Sequence, residues 1–292
     1  MSTTTPTSTE QKQASALSKL GAPRHQRSRF EMASTAFFAI LRRDLTVIGR
    51  EFIAFMMQVL LQPLFFLFIF GKVLPNIGVA QSNFGSLLLP GIVALTCFTA
   101  ALQGVTLPLT LDLGFGREID DRLLSPLPTS MVVLEKILFA AIRGIIGGAV
   151  IFPLGYLILG SEFSVRSDAV GLLIGVMVLT SLAGSSVGLT IGTLIKPEQI
   201  GLMFAIILTP LLFTGCTYYP WAALGSLKWF QVITLFNPLT YGAEGLRHAM
   251  VPSIHGHTLE TLGLPWVFIG LTFTIVVFTA IGIQTFRRRV IS

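Results

Sequence analysis

Residues 169–195 read AVGLLIGVMVLTSLAGSSVGLTIGTLI, without one charged side chain. A helix needs about 20 apolar residues to cross the hydrocarbon core of a bilayer. A spanning backbone must also satisfy its own hydrogen bonds, which a helix does. Outward from this stretch, residues 52–71, 73–111, 199–227 and 261–286 are equally free of charge. A sixth apolar run, 131–160, carries Glu135, Lys136 and Arg143 in its first half. These runs predict an all-α integral membrane protein with six transmembrane helices, near 52–71, 85–111, 131–160, 169–195, 199–219 and 264–286.

Composition agrees: 52% of residues are hydrophobic and only 12% charged over 292 residues, which is too apolar for a soluble domain of that size. Residues 1–29 differ, being Ser, Thr, Gln and Ala with scattered basic residues and no apolar run. They read as a disordered cytoplasmic tail and not as a signal peptide. Residues 30–292 form the membrane domain. The net charge of +6 matters less than its distribution, and nucleic acid is not an expected partner. With six spans and both termini on one side, the eight basic residues from Lys12 to Arg50 share a face with Arg117, Arg122, Lys136, Lys196 and Arg287, Arg288 and Arg289. Only Lys72, Arg166, Lys228 and Arg247 fall opposite. Basic residues mark the cytoplasmic side, so both termini are expected there, with the protein multi-pass in the cell membrane. Cys97 and Cys216 fall at different depths and read as small apolar filler rather than a disulfide.

Before the first span, residues 30–50 predict a helix lying on the membrane. Phe37, Phe38, Ile40, Leu41, Leu45 and Ile48 share one side, opposite Arg42, Arg43, Thr46 and Arg50, the pattern of an interfacial helix in contact with lipid. Asp44 interrupts the apolar side, which implies that protein covers part of it. Between the second and third spans the sequence DLGFGREIDDRLLSPLP (112–128) breaks at Gly114 and Gly116. It admits a short helix over 117–124, and Pro126 and Pro128 then stop it. Arg117, Glu118, Ile119, Asp120, Asp121, Arg122 and Leu123 thus form a structured, partly acidic foot on a positive face, a docking element for a soluble partner.

The loop over 216–252 is rich in aromatic residues yet carries only Lys228, Glu244 and Arg247 as charges. Aromatics favour the headgroup level, and Pro220 and Pro238 divide the loop, so it predicts two half-helices dipping into the outer leaflet. Glu244 and Arg247, at i and i+3, are placed to pair. Such a pair lowers the cost of charge near lipid.

Several patterns carry no chemistry. No phosphate-cradling G-x-x-x-x-G-K-[ST] occurs. Gly184-Ser185-Ser186-Val187-Gly188 matches a nucleophile elbow, but it lies inside a span and no histidine falls at that depth. Gly184, Gly188 and Gly192 read instead as a helix face without side chains, which a neighbour can approach closely. Gly171 and Gly175 extend the idea less regularly, and Gly144, Gly147 and Gly148 do the same in the third span. His255 and His257 offer two ligands without a third, so no metal site is assigned. Arg143, deep in the third span, costs about 2.5–3.5 kcal/mol to insert. It is expected to snorkel or to pair with Glu135 or Glu51.

The runs FNPLTYGAEGLRHAM (236–250) and REIDDRLLSPLP (117–128), with six spans and an amphipathic N-terminal helix, resemble the type-2 class of ABC exporter permeases. Within it the chain is most similar to the daunorubicin-resistance and nodulation-type export branch. The resemblance implies a dimer of permeases, identical or homologous, with two copies of an ATP-binding cassette subunit. ATP and Mg would be held by that partner, so this chain is not itself an enzyme. It makes 117–124 the coupling helix, residues 30–50 (with Phe37, Phe38, Leu41, Arg42 and Arg43) the connecting helix, and Asn237, Pro238, Tyr241, Glu244 and Arg247 the outer re-entrant motif. A path between the second and fifth spans would be lined by Thr96, Thr99, Gln103, Thr209 and Thr214. With so little fixed charge the cargo would be hydrophobic or amphipathic: a drug, lipid or glycolipid. The alternatives are an ion-coupled secondary transporter, which needs ionisable residues at mid-membrane, and a membrane scaffold that transports nothing.

Overall fold

The computed structural model describes residues 29–80, 84–114, 129–160, 163, 165–251 and 261–291. Among the described residues, nine α-helices of at least seven residues carry the architecture: α1 (Arg29–Arg50), α2 (Phe52–Phe68), α3 (Phe84–Gly114), α4 (Thr129–Leu159), α5 (Val170–Leu194), α6 (Ile200–Thr214), α7 (Lys228–Thr234), α8 (Pro238–Met250) and α9 (Leu264–Ile291). No strand occurs among the described residues. Helices α2, α3, α4, α5, α6 and α9 account for six stretches long and apolar enough to cross a membrane, so the protein is an all-α, multi-pass membrane protein. Three boundaries shift by five residues from expectation, one being the end of the sixth span, which continues as helix to Ile291. The first span runs on through a π-helical turn, Ile69–Val73, to Asn76. The fifth stops at Thr214 instead of 219, because Gly215 and then Cys216, at φ 50°, leave the helical region.

The centre of the bundle is α3 against α5, and small residues make it possible. A Cβ on Gly184 would collide with the Phe98 carbonyl, and one on Gly188 with that of Leu102. With the helices this close, Thr106 Oγ1 donates to the Gly188 carbonyl at 3.0 Å and Thr110 Oγ1 to that of Gly192 at 3.3 Å. On the other flank of α3, Gly144 of α4 lies against the Cys97 carbonyl and Gly148 against its sulfur. Helix α9 meets α5 through hydroxyls: Ser186 with Thr279 at 3.0 Å, Thr193 with Thr285 at 2.7 Å, and Thr190 to the Phe278 carbonyl at 2.8 Å. Arg289 then donates to the Thr193 and Ile195 carbonyls, both at 2.9 Å, closing the C-terminus of α5. Gly171 and Gly175 do not belong to this seam, because open space lies beside both. Cys97 and Cys216 are both free and buried.

Packing is uneven around this core. Helix α3 is enclosed along most of its length, whereas α2 buries only Phe55, Pro63 and Leu67 and α6 buries no residue. Helix α1 docks on α4, where Phe37 and Ile40 pack around Val132 and Met131. Asp44 is the residue that marks this contact: it is buried and lies 3.6 Å from Lys136 Nζ. Protein does cover the side of α1 that Asp44 interrupts.

Candidate translocation pathway

Two hollows lie along α2. The larger, of about 610 Å³, opens at the end of the bundle where α1 docks and is walled by α1, α2, α3 and α4. Its charges are Arg43, Asp44, Glu51, Asp112, Lys136 and Arg143, and Val47, Ala54, Phe55, Pro108 and Phe139 supply its apolar surface. Asp44 is held between Arg43, at 3.2 Å, and Lys136. Arg143 lays its guanidinium over the Phe55 ring, 4.5 Å from the centroid, and its buried Nε donates no hydrogen bond. Among the described residues Arg143 forms no direct ion pair with Glu135 or Glu51: it rests on an aromatic face, and the Glu51 carboxylate, in the same chamber, attracts it only from a distance.

At the inner limit of the chamber, Gln58 Nε2 donates to Gln103 Oε1 at 3.0 Å, bridging α2 and α3. Beyond the bridge a narrower cleft, of about 70 Å³, lies between α2, α3 and α6. Thr96, Thr99 and Gln103 line it from α3, Gln58, Gln62 and Pro63 from α2, and Leu208 and Leu212 from α6. Proline cannot donate to the carbonyl four residues earlier, so Pro63 frees the Val59 carbonyl, and Val59 also lines this cleft. Three of the five expected path residues therefore share one hollow. Thr209 is exposed on α6, and Thr214 is drawn into the cap that follows α6, where it accepts from Asn237 Nδ2 at 2.9 Å. Gln58 and Gln62 are the lining residues that sequence reasoning missed. Their signal is two amides at i and i+4 in an otherwise apolar span.

The cap at the end of the bundle away from α1 is built around Glu244 and Arg247, and neither has any exposed surface. Asn237 caps α8 by accepting from the Leu239 amide at 2.9 Å, while its Nδ2 also donates to the Leu211 carbonyl at 2.8 Å. Pro238, at the first turn, has no amide to leave unpaired. Tyr241 donates to the Leu235 carbonyl at 2.8 Å. Glu244 accepts from the amides of Trp221 (2.9 Å) and Leu262 (3.2 Å) and from Arg247. Arg247 also donates to the carbonyls of Cys216 (3.0 Å), Leu87 (3.4 Å) and Thr217 (3.5 Å). The pair forms as its spacing predicts, but inside protein: it knots the end of α6, the start of α3, the 3₁₀ turn Trp221–Ser226 and the approach to α9. Burial and the Glu244 carboxylate push the neighbouring Cys216 thiol up to about 11.

Helix α7 and the 3₁₀ turn before it are the short pieces between Pro220 and Pro238. Trp229 and Phe236 project from this region. On α1, Phe37 and Leu41 are half-buried against the bundle, while Phe38, Arg42 and Arg43 are exposed. The foot from Arg117 to Leu123, the tail 1–28, and His255 and His257 lie outside the described residues.

Comparison with known proteins points in one direction. The family model described as ABC-2 type transporter matches residues 35–251. The putative transport permease ycf38 of Cyanophora paradoxa is 27% identical over 280 residues, 89% of this chain and 87% of that protein. The inner membrane transport permease YadH of Escherichia coli (strain K12) is 26% identical over 183 residues, 62% of this chain and 69% of its own. The ycf38 permease of Porphyra purpurea is 26% identical over 223 residues, 75% of each chain.

Proposed function

The chain belongs to the ABC-2 type transporter family, and on that premise we propose that it is the transmembrane half of an ATP-driven exporter for a hydrophobic or amphipathic cargo. As a membrane permease of an ABC transporter it works, in general, with an ATP-binding cassette subunit. Beyond that, our reading takes two copies of the ATPase, holding ATP and Mg, and a second permease chain, identical or homologous. Both termini and the chamber face the cytoplasm in the cell membrane, residues 30–292 form the permease domain, and 1–29 a tail. The cargo class is that of the daunorubicin-resistance and nodulation-type branch: drugs, lipids or glycolipids.

The observation that carries this reading is the Gln58–Gln103 bond between the two hollows. Cargo entering from the inner leaflet fills the chamber and stops at the amide pair. Closure of the ATPase dimer pushes on the foot 117–124. Because α3 is packed along most of its length, it transmits that push as a rigid rod. Helices α2 and α6, which bury little, shift relative to it. The amide bond then parts and the cargo moves into the cleft. An ion-coupled cycle is weaker on chemical grounds: it calls for a proton-exchanging group near mid-membrane, and of Glu135, Lys136 and Arg143 in the third span the deepest is Arg143, which does not release its proton at physiological pH.

The test is reconstitution with the cognate ATP-binding subunit in lipid. Substrate-stimulated ATP hydrolysis and transport are expected. Charge reversal at Glu118, Asp120 and Asp121 (E118K, D120K, D121K) should abolish the stimulation while basal hydrolysis by the ATPase persists. Coupled activity that survives the reversals refutes the docking role of the foot.

A further inference from the structure

Charges in the chamber sit at different depths. Arg143 packs its Cδ on α3 at Gly104, where an added Cβ would lie 3.3 Å away, and its guanidinium on Phe55 of α2. At 1.5 Å per helical residue, Asp112 lies about 12 Å nearer the mouth than Gly104, Glu51 about 6 Å nearer than Phe55, and Lys136 about 10 Å nearer than Arg143. Asp44 is already engaged by Arg43 and Lys136. The carboxylates therefore ring the mouth, and the deep end offers the Arg143 cation, whose enclosed Nε has no hydrogen-bond partner among the described residues, the Gln58 amide, and apolar surface from Ala54, Phe55 and Phe139. A guanidinium this deep, resting on an aromatic ring and in no direct ion pair among the described residues, has donors to present to an anion.

We propose that Arg143 and Gln58 bind the anionic group of an amphipathic substrate, with its apolar part lying along Phe55 and Phe139. This rests on the chamber being the inner mouth of the pathway. A phospholipid headgroup and an amphipathic phosphate that is not a lipid offer Arg143 the same chemistry. Gln58 touches both the ligand and Gln103, so occupation of the site would draw on the amide that closes the path.

Purified full-length chain in phosphatidylcholine nanodiscs, without any ATPase, is titrated with phosphatidylglycerol, dodecyl phosphate or inorganic phosphate and read by native mass spectrometry. Losing the charge-assisted hydrogen bond in R143Q should weaken retention of the anionic amphiphile by about tenfold or more, and R143K should recover part of it. Retention of phosphatidylglycerol alone identifies a lipid ligand; retention of dodecyl phosphate alone identifies a smaller amphiphile. R143Q binding as tightly as the native protein, or inorganic phosphate held as well as either amphiphile, overturns the proposal. Should R143Q not fold, the A54C variant probes the same site with Arg143 intact. Anionic amphiphile, and not added phosphatidylcholine, should slow maleimide labelling there, and equal rates overturn the site. Since no nucleotide or partner takes part, failure here leaves the exporter reading standing, and failure of coupling leaves this site standing.

Discussion

A buried ion pair is worth little when whole and a great deal when halved, and Glu244 with Arg247 is such a pair. Each group's remaining hydrogen-bond capacity is used by backbone: two amides on the carboxylate, three carbonyls on the guanidinium. Glu244→Ala would leave a buried guanidinium without its counter-charge, at a cost of about 3–5 kcal/mol. The double variant E244L/R247M should recover much of that loss, because no charge is stranded. Melting of the purified chain, followed by near-ultraviolet dichroism, measures both. A single variant as stable as the native protein would show that the knot is not a support of the cap. The i, i+3 spacing makes the pair legible in the sequence. Its burial is not legible, since the groups that enclose it come from α3, α6 and the approach to α9, remote in the chain. Arg143 shows the converse: the cost of its position can be read directly, but the aromatic ring that receives it belongs to another helix.

Helices are legible here to the extent that one dimension suffices. A long apolar run is a property of the chain alone, so all six spans emerge within a few residues, even the third with its three charges, and the four-residue glycine repeat predicts a close neighbour at Gly184 and Gly188, which the structure gives as α3. Spacing within a pair does not fix the face: Gly171 and Gly175 are also four apart, but at 3.6 residues per turn Gly175 points away from the side of Gly184, and open space lies beside both. That contrast gives a graded test. Gly188→Leu should abolish accumulation of folded protein, since even a Cβ there meets the Leu102 carbonyl. Gly175→Ala should be neutral or stabilise by up to about 1 kcal/mol through helix propensity. Detergent-solubilised yield and melting temperature report both, and loss of folded protein in G175A would mean that a neighbour absent from this chain closes on that face. Along α3, Thr96, Thr99 and Gln103 are foreseeable as a set because a helix brings i, i+3 and i+7 to one side. Thr209 and Thr214 share no such face, and the structure separates them.

At the scale of the whole molecule, a rigid core carries a loosely attached flank. Helices α3, α4, α5, α8 and α9 interlock through glycines, hydroxyls and the Glu244–Arg247 knot, while α2 and α6 lean on that body with few buried side chains. In a bilayer apolar surface alone does not drive helices together, so weakly held spans are free to move if a polar contact between them opens. The bridge between Gln58 and Gln103 is the contact that joins the flank to the core at the depth where chamber gives way to cleft. No single stretch of sequence contains that arrangement, since four helices contribute to one hollow and three to the other. If the bridge is the gate, fixing it must stop transport without harming the machine around it. Cysteines at both positions (Q58C with Q103C), joined by a short bifunctional methanethiosulfonate, should abolish transport in the reconstituted complex. A reducing agent should restore it, and each single variant given the same reagent should continue to transport. Native Cys97 and Cys216 are buried and should leave the reaction to the introduced pair. Undiminished transport by the cross-linked protein would show that cargo does not pass between α2 and α3, and the pathway would have to be sought on the open side of α6.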